Sequence, residues 1–240
     1  MARDEGIANT ATEPANLLSP RFASDNVASR LDRIFKRPVA PLNAWVARLR
    51  EDARLPPRAG STIPWFDPRG GGTEAKVLLL QQDPSQVATF TNFCSPDNND
   101  PTAKNATVAC REAGLAMSHR VHWNVFPWWV NIKKRRRLVD PTRPWQTFAG
   151  ARALGATLFL DLLDLLPDLR VVVLLGREAG KAFDGINGVL DAPQRSLVIL
   201  RCGSFSPQSW NNTDPEDPRR RRRSETIIER LVQARVQAGL

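Results

Sequence analysis

Cysteine is scarce in this chain of 240 residues. Only three are present, Cys94, Cys110 and Cys202, and they are widely spaced, with no Cys-x-x-Cys pair. A disulfide framework or a zinc site needs more cysteines at closer spacing. The cysteine pattern therefore argues against both and fits a reducing cytosol.

A long apolar run is also missing. The longest apolar stretch, around residues 158–166, is interrupted by Asp161 and Asp164, whereas a membrane-spanning helix needs roughly 20 apolar residues. The opening residues MARDEGIANT contain no apolar segment typical of an export signal. We expect no membrane partner and a cytoplasmic location.

Glycine-rich phosphate loops are absent from the place where they would act. Neither GxGxxG nor GxxxxGK[ST] follows the first predicted strand, residues 76–80. Gly70, Gly71 and Gly72 precede that strand, on the wrong side for phosphate binding. The sequence therefore disfavours a nucleotide-binding α/β protein.

Positive charge, in contrast, is abundant. The chain has 34 Lys and Arg against 25 Asp and Glu, a formal net charge of +9. Such a balance indicates a polyanionic partner, a nucleic acid or an anionic membrane. Hydrophobic residues make up 42% of the chain, enough for a packed core.

Four apolar strand-type runs alternate with helical patterns. The runs cover residues 76–80, 120–126, 170–175 and 196–200, with helical spacing over 102–115, 145–166, 178–190 and from 224 onwards. This alternation predicts a parallel sheet covered on both faces. We predict an α/β fold over residues 71–240, a three-layer α/β/α sandwich around a central four-stranded parallel sheet. Residues 1–70 are predicted to form a tail and a helical extension.

Chemically distinctive side chains follow the predicted strands. Asp83 comes after the first strand, Asn124 ends the second, and Ser204 and Ser206 follow the fourth. Right-handed crossovers place the carboxyl ends of all four strands at one edge, where ligands bind in open α/β sheets. Taken singly, an Asp-Pro pair is commonly just a turn.

Two basic runs flank the same edge, with aromatic residues between them. They are Lys133, Lys134, Arg135, Arg136 and Arg137, and Arg219, Arg220, Arg221, Arg222 and Arg223. Charge runs are usually solvated. Two runs with intervening aromatics nevertheless suit phosphate neutralisation combined with base stacking, and they favour a nucleic-acid partner.

These short motifs, in this order, resemble the uracil-DNA glycosylase superfamily. Gln82-Asp83-Pro84 matches the core of the water-activating motif of its best-known branch, and Ser204-Phe205-Ser206-Pro207 resembles the His-Pro-Ser-Pro loop. The segments 99–105 and 123–128 are similar to bacterial members. The resemblance spans residues 75–212 and implies a monomeric, nucleoid-associated enzyme of base-excision repair that acts on DNA.

The resemblance also implies roles for individual residues. Asp83 would activate water or stabilise the sugar cation, with Ser204 and Ser206 as further catalytic residues. The flipped base would be held by Gln82, Pro84, Ser85, Phe93 and Asn124, with Asn124 reading the base edge and Phe93 stacking on it; Phe90 is the alternative stacking residue. DNA would be bound by the two basic runs and by Pro207, Gln208, Ser209 and Trp210, with Gln208 or Trp210 filling the gap left by the flipped base.

The sequence departs from the family pattern in three places. Ser204 replaces the usual histidine, whose loss as a hydrogen-bond donor can cost about 10²–10³ in rate. His122 is expected to be a core histidine rather than its replacement. Ser85 stands where a tyrosine excludes the thymine methyl group, so other damaged bases remain open as substrates. Three cysteines cannot supply the four ligands of the iron–sulfur branches, and we expect no cofactor.

Two functions from different classes thus remain. The first is a metal-independent hydrolase that removes uracil, or another damaged base, from DNA. The second is a catalytically weak DNA-binding protein of the same fold. The acid at Asp83 favours the hydrolase, whereas Ser204 favours the binding protein.

Overall fold

A computed structural model of the chain describes residues 26–56, 59–130, 148–184 and 196–240. Its central sheet contains four parallel strands: β2 (Val77–Gln81), β4 (Arg120–Asn124), β5 (Val171–Leu175) and β6 (Val198–Cys202), in the order β4-β2-β5-β6. β1 (Trp65–Phe66) and β3 (Phe93–Cys94) form a separate two-stranded parallel sheet, which the sequence patterns did not predict.

Eight α-helices surround the strands within the described ranges. They are α1 (Val27–Leu31), α2 (Ala40–Arg50), α3 (Gln86–Thr91), α4 (Pro101–Glu112), α5 (Phe148–Leu163), α6 (Arg177–Asp184), α7 (Pro207–Trp210) and α8 (Arg223–Gln237). Three short 3-10 helices occur at Gly60–Thr62, Gly72–Glu74 and Met117–His119.

The sheet is covered on both faces because successive side chains of a strand point to opposite faces, and β2 and β5 are apolar at almost every position. Val77 and Leu79 of β2 face a core shared with helices α4 and α8. Leu78 and Leu80 face the opposite core, to which α2, α5 and α6 contribute. This arrangement confirms the predicted α/β class, with a four-stranded parallel sheet between two helical layers.

The N-terminal segment packs into the same core as the sheet. From residue 26 onwards it contributes α1 and α2, and Leu42, Val46 and Leu49 are buried with Leu78 and Leu80. Arg30 of α1 is fully buried, and its Nη1 and Nη2 atoms lie 2.6 Å and 2.8 Å from carboxylate oxygens of Asp67 and Asp97. The described residues of the predicted N-terminal extension therefore pack into the same core as the central sheet.

Candidate active site

A cleft of about 430 Å³ opens at the carboxyl edge of the sheet. It is lined by the ends of β2, β4 and β5 and by the loop after β6. Seven of the predicted site residues line it: Gln82, Asp83, Pro84, Ser85, Asn124, Ser204 and Ser206. They come from the loop after β2, the last residue of β4 and the loop after β6, which the parallel topology brings together.

Asp83 lies in the loop between β2 and α3. Its Oδ1 accepts a hydrogen bond from Gln82 Nε2 at 3.0 Å, and its Oδ2 accepts one from the backbone N–H of Val130 at 3.1 Å. These donors stabilise the ionised carboxylate and orient it. The half-buried side chain remains part of the cleft wall.

Ser85 joins the loop after β2 to the start of α4. Its hydroxyl accepts from the N–H of Ala88 as the N-cap of α3 and donates to Asp100 Oδ2 at 2.9 Å. Asp100 is itself the N-cap of α4 and accepts from the N–H of Ala103. One hydrogen bond thus connects two helix caps and sets the width of this side of the cleft.

Asn124 ends β4 directly opposite Gln81 of β2. It is 3% exposed, and its Nδ2 donates to Cys94 Sγ at 3.5 Å. Burial raises the pKa of Cys94 to about 12, so this sulfur is a neutral thiol and a weak acceptor. The amide is therefore held in the cleft floor by an uncharged neighbour.

The serines after β6 form a compact hydroxyl cluster. The Oγ atoms of Ser204 and Ser206 are 2.9 Å apart, and Ser209 Oγ accepts the backbone N–H of Ser204 at 3.1 Å. Ser206 also caps α7. Gly176, after β5, has φ +86° and lies so close that a Cβ there would be 3.1 Å from Ser204 Cβ. The loop therefore approaches the end of β5 as closely as a glycine allows.

The aromatic residue at the cleft differs from the predicted one. Phe93 is 0% exposed inside the core and is not among the residues that line the cleft, and Phe90 projects from α3 with 56% exposure. Trp129 lines the cleft instead, with its backbone N–H bonded to Thr62 Oγ1 at 3.2 Å. Trp129 belongs to the tryptophan-rich segment after β4, the signal that could have identified it.

A second carboxylate, Glu178, also lines the cleft and was missed by sequence reasoning. It is 8% exposed and lies 2.8 Å from Arg152 Nη1 and 3.4 Å from Arg177 Nε. Both cations neutralise it, so Glu178 positions α5 against α6 rather than presenting free negative charge. No short motif around residue 178 distinguishes it from an ordinary helical glutamate.

His122 is buried, as expected, yet it also lines the cleft. Its Nε2 accepts a hydrogen bond from Arg120 Nε at 3.1 Å. Burial, and then the positive charge of Arg120, hold the pKa of His122 well below its ordinary value. The imidazole at the cleft floor is therefore neutral.

The predicted DNA-binding residues are distributed unevenly. Lys133, Lys134, Arg135, Arg136 and Arg137 lie outside the described residues. On α7, Pro207 and Gln208 are exposed, Ser209 is buried, and Trp210 packs partly against the core. Of the two residues predicted to fill the gap that the flipped base leaves in the duplex, Gln208 is thus the more accessible.

The arginines before α8 lie in a tight hairpin. Thr213 and Arg222 form an antiparallel bridge, and the N–H of Asp214 donates to the carbonyl of Arg221. Arg221 lies 2.7 Å from Asp217 and 2.8 Å from Glu229, which raise its pKa further. Within the described ranges Arg219, Arg220 and Arg222 form no ion pair and are exposed. These three arginines are the ones left for an external anion.

A second, larger cleft of about 790 Å³ adjoins the first. The two share Gly176, Arg177 and Ser204, and the larger one extends under the arginine hairpin. Its cations include Lys181 and Arg223. Its lining also includes Asp184, Asp214, Glu216, Asp217 and Glu229, so the larger cleft carries charges of both signs.

No protein-family model matches the chain, and no curated protein matches it.

Among the described helices, none combines the length and the apolar character needed to cross a bilayer. In the same ranges, no cluster of three or more His, Cys, Asp or Glu residues has the arrangement of a metal site.

Proposed function

We propose that the protein is a DNA glycosylase that hydrolyses the N-glycosidic bond of uracil, or of a related deaminated base, flipped out of DNA. The observation that carries this proposal is the meeting of Asp83 and Asn124 in one cleft. An oriented carboxylate can act as a general base, and an amide offers a nucleobase edge both a donor and an acceptor.

The contacts support a role for each of these residues in the proposed reaction. Asp83, held by Gln82 and by the N–H of Val130, accepts a proton from the attacking water or stabilises the positive charge that develops on the sugar. Water supplies the hydroxyl that ends on the sugar, and the base leaves with the electron pair of the broken bond. Asn124 holds the base edge, while Ser204 and Ser206 present hydroxyls to the base or to an adjacent phosphate.

The surroundings suit a DNA substrate. Arg219, Arg220 and Arg222 are exposed beside the larger cleft, which is continuous with the smaller one through Arg177 and Ser204. A cleft of about 430 Å³ has the size of a small-molecule site and suits a single flipped nucleoside. Flipping costs a few kcal/mol, which phosphate contacts on the neighbouring surface offset.

The test is cleavage of an end-labelled oligonucleotide that contains one uracil, single-stranded or opposite guanine, followed by alkali. We expect strand breaks at uracil, lost by at least about 10²-fold in Asp83→Asn, with DNA affinity retained because the amide preserves shape. Asp168→Asn, at an exposed aspartate before β5, is the matched control and should cleave normally.

A second candidate rests on Ser204, which provides a hydroxyl where the family resembled has a histidine. In that case the protein binds damaged DNA without cleaving it. Tight, salt-dependent binding with no breaks at uracil or at other deaminated bases would favour this candidate. Equal cleavage by the wild type and Asp83→Asn would contradict the role of Asp83.

A further inference from the structure

Strand β4 carries a column of polar side chains on one face. Arg120, His122 and Asn124 alternate along it, opposite Val77, Leu79 and Gln81 of β2. Val77 and Leu79 belong to the core beneath α4, so the three polar residues share that face of the sheet. The column runs from the buried interior at Arg120 to the cleft at His122 and Asn124.

Arg120 determines the tautomer of His122. A guanidinium has only donors, so the imidazole Nε2 that receives Arg120 Nε at 3.1 Å must be unprotonated. A neutral ring with a bare Nε2 carries its proton on Nδ1. Arg120 is 6% exposed, and its nearest partners are this ring and the carbonyl of Leu115, with no carboxylate hydrogen-bonded to it in the described structure.

The Nδ1 atom of His122 is the ring nitrogen that Arg120 leaves unoccupied. It has no hydrogen-bond partner among the described residues. Among the side-chain nitrogen and oxygen atoms of the described residues, only Trp128 Nε1 and Arg235 Nε are both buried from solvent and without a hydrogen-bond partner. Nδ1 of His122 is not one of these buried atoms, and the residue that carries it lines the cleft.

Asn124 complements this donor. One of its two amide N–H groups is directed to Cys94 Sγ, which leaves a second N–H and the carbonyl oxygen for a ligand. The floor of the cleft thus presents the N–H of His122 together with a donor and an acceptor from Asn124. Two donors and one acceptor match an edge with two acceptors and one donor.

We propose that His122 is a specificity-determining residue whose Nδ1–H acts with the Asn124 amide to select a cyclic imide, the C(=O)–NH–C(=O) edge of uracil and xanthine. The inference deepens the proposed glycosylase function and rests on it for the identity of the ligand as a base. It also provides a neutral N–H donor in a site where Ser204 supplies only a hydroxyl.

The selection has a direct chemical reason. Cytosine presents an amino group where the imide has a carbonyl, and an unprotonated N3 where the imide has an N–H. The N–H of Asn124 would then face a donor, and its carbonyl would face an acceptor. Hypoxanthine and 3-methyluracil each lack one partner of the imide edge. A buried polar group left unpaired weakens binding strongly, and a site built for hydrogen bonds rejects analogues that lack them.

The experiment uses the full chain labelled with ¹⁵N-histidine, because the protein has two histidines and His119→Gln assigns them. We expect His122 to show the neutral Nδ1–H tautomer before any base is added. Uracil and xanthine should move its resonances, cytosine and 3-methyluracil should leave them in place, and His119 is the internal reference. An Nε2–H tautomer, or resonances unmoved by uracil, overturns the inference.

A second measurement separates recognition from folding. His122→Phe should weaken uracil binding about tenfold or more, the worth of one buried hydrogen bond, while cytosine binding stays the same. Equal losses for both bases would contradict a role in selection. Absence of DNA cleavage together with imide-dependent shifts at His122 would refute the glycosylase and keep the inference. Cleavage of uracil-containing DNA, with His122 resonances that uracil does not move, would support the glycosylase and refute the inference.

Discussion

His122 is a buried, neutral imidazole, and this state lowers the stability of the folded protein in acid. It is 4% exposed and hydrogen-bonded to a cation, and both conditions oppose protonation. In the unfolded chain the same imidazole titrates freely near its ordinary pKa of about 6.5. Below that pH the unfolded state binds more protons than the folded state, so the free energy of unfolding falls as the pH falls.

We therefore predict an acid-dependent loss of stability that belongs to His122. Its contribution should approach about 1.4 kcal/mol per pH unit once the pH is below about 6.5. Urea unfolding at a series of pH values, for the wild type and for His122→Gln, measures it as the difference between two curves. His119→Gln should retain this component. Parallel curves for the wild type and His122→Gln would show that the ring protonates in the folded state.

At the scale of elements, the loop after β6 depends on the glycine that ends β5. Gly176 combines φ +86° with the close approach to Ser204. Gly176→Ala should lower the free energy of unfolding by about 1–3 kcal/mol, because an alanine is strained at this φ. It should also displace Ser204 and reduce cleavage.

The control for this change is Gly180→Ala, one turn further along α6. There a Cβ would meet only the end of the flexible, half-exposed Arg201 side chain, and the backbone is helical. Thermal unfolding should distinguish the two variants. Equal stability of both would mean that the loop after β6 adjusts without cost.

The arginine hairpin divides its charge between structure and binding. Arg221 is committed to Asp217 and Glu229, whereas Arg219, Arg220 and Arg222 are exposed. Replacing the exposed three with alanine should weaken DNA binding and flatten the slope of log affinity against log salt by about 2–3, since each phosphate contact contributes about 0.9. Fluorescence anisotropy at several salt concentrations measures the slope.

A charge-matched triple variant provides the comparison. Arg48, Arg111 and Arg170 are exposed elsewhere on the molecule, and their replacement removes the same three charges. Its salt slope should stay close to that of the wild type. If both triple variants lose affinity equally, net charge rather than the hairpin governs binding.

For the whole molecule, the buried arginine of α1 connects distant parts of the chain. Arg30 contacts Asp67 and Asp97, and its Nη1 also lies 3.3 Å from Ser95, which lines the cleft. Arg30→Met keeps the apolar stem but leaves the buried carboxylate of Asp67 without its cation, while Asp97 still contacts Arg69. We expect a loss of about 3–5 kcal/mol. Chemical denaturation beside Arg48→Met, an exposed arginine on α2, checks this. A loss similar to that of the control would mean that the cluster relaxes into solvent.

The helix and strand order was predictable from the sequence because it depends on local periodicity. The four central strands match the apolar runs to within two residues at each end, since continuous apolar runs fit strands buried on both faces. The short strands β1 and β3 escaped prediction because two residues carry no measurable period. Trp129, Glu178 and His122 entered the cleft lining unpredicted, because their neighbours there come from other strands and helices.

The sequence by itself determined the α/β class, the positive charge and the presence of Asp83, Asn124 and the serine loop at strand ends. Periodicity, composition and the rule that parallel strands end at one edge are sufficient for these conclusions. Only the tertiary structure decided which arginines remain exposed, which aromatic residue reaches the cleft and which nitrogen of His122 accepts a hydrogen bond from Arg120. Each of these depends on contacts between residues that are distant in the sequence, and the sequence pattern alone does not show which of them meet.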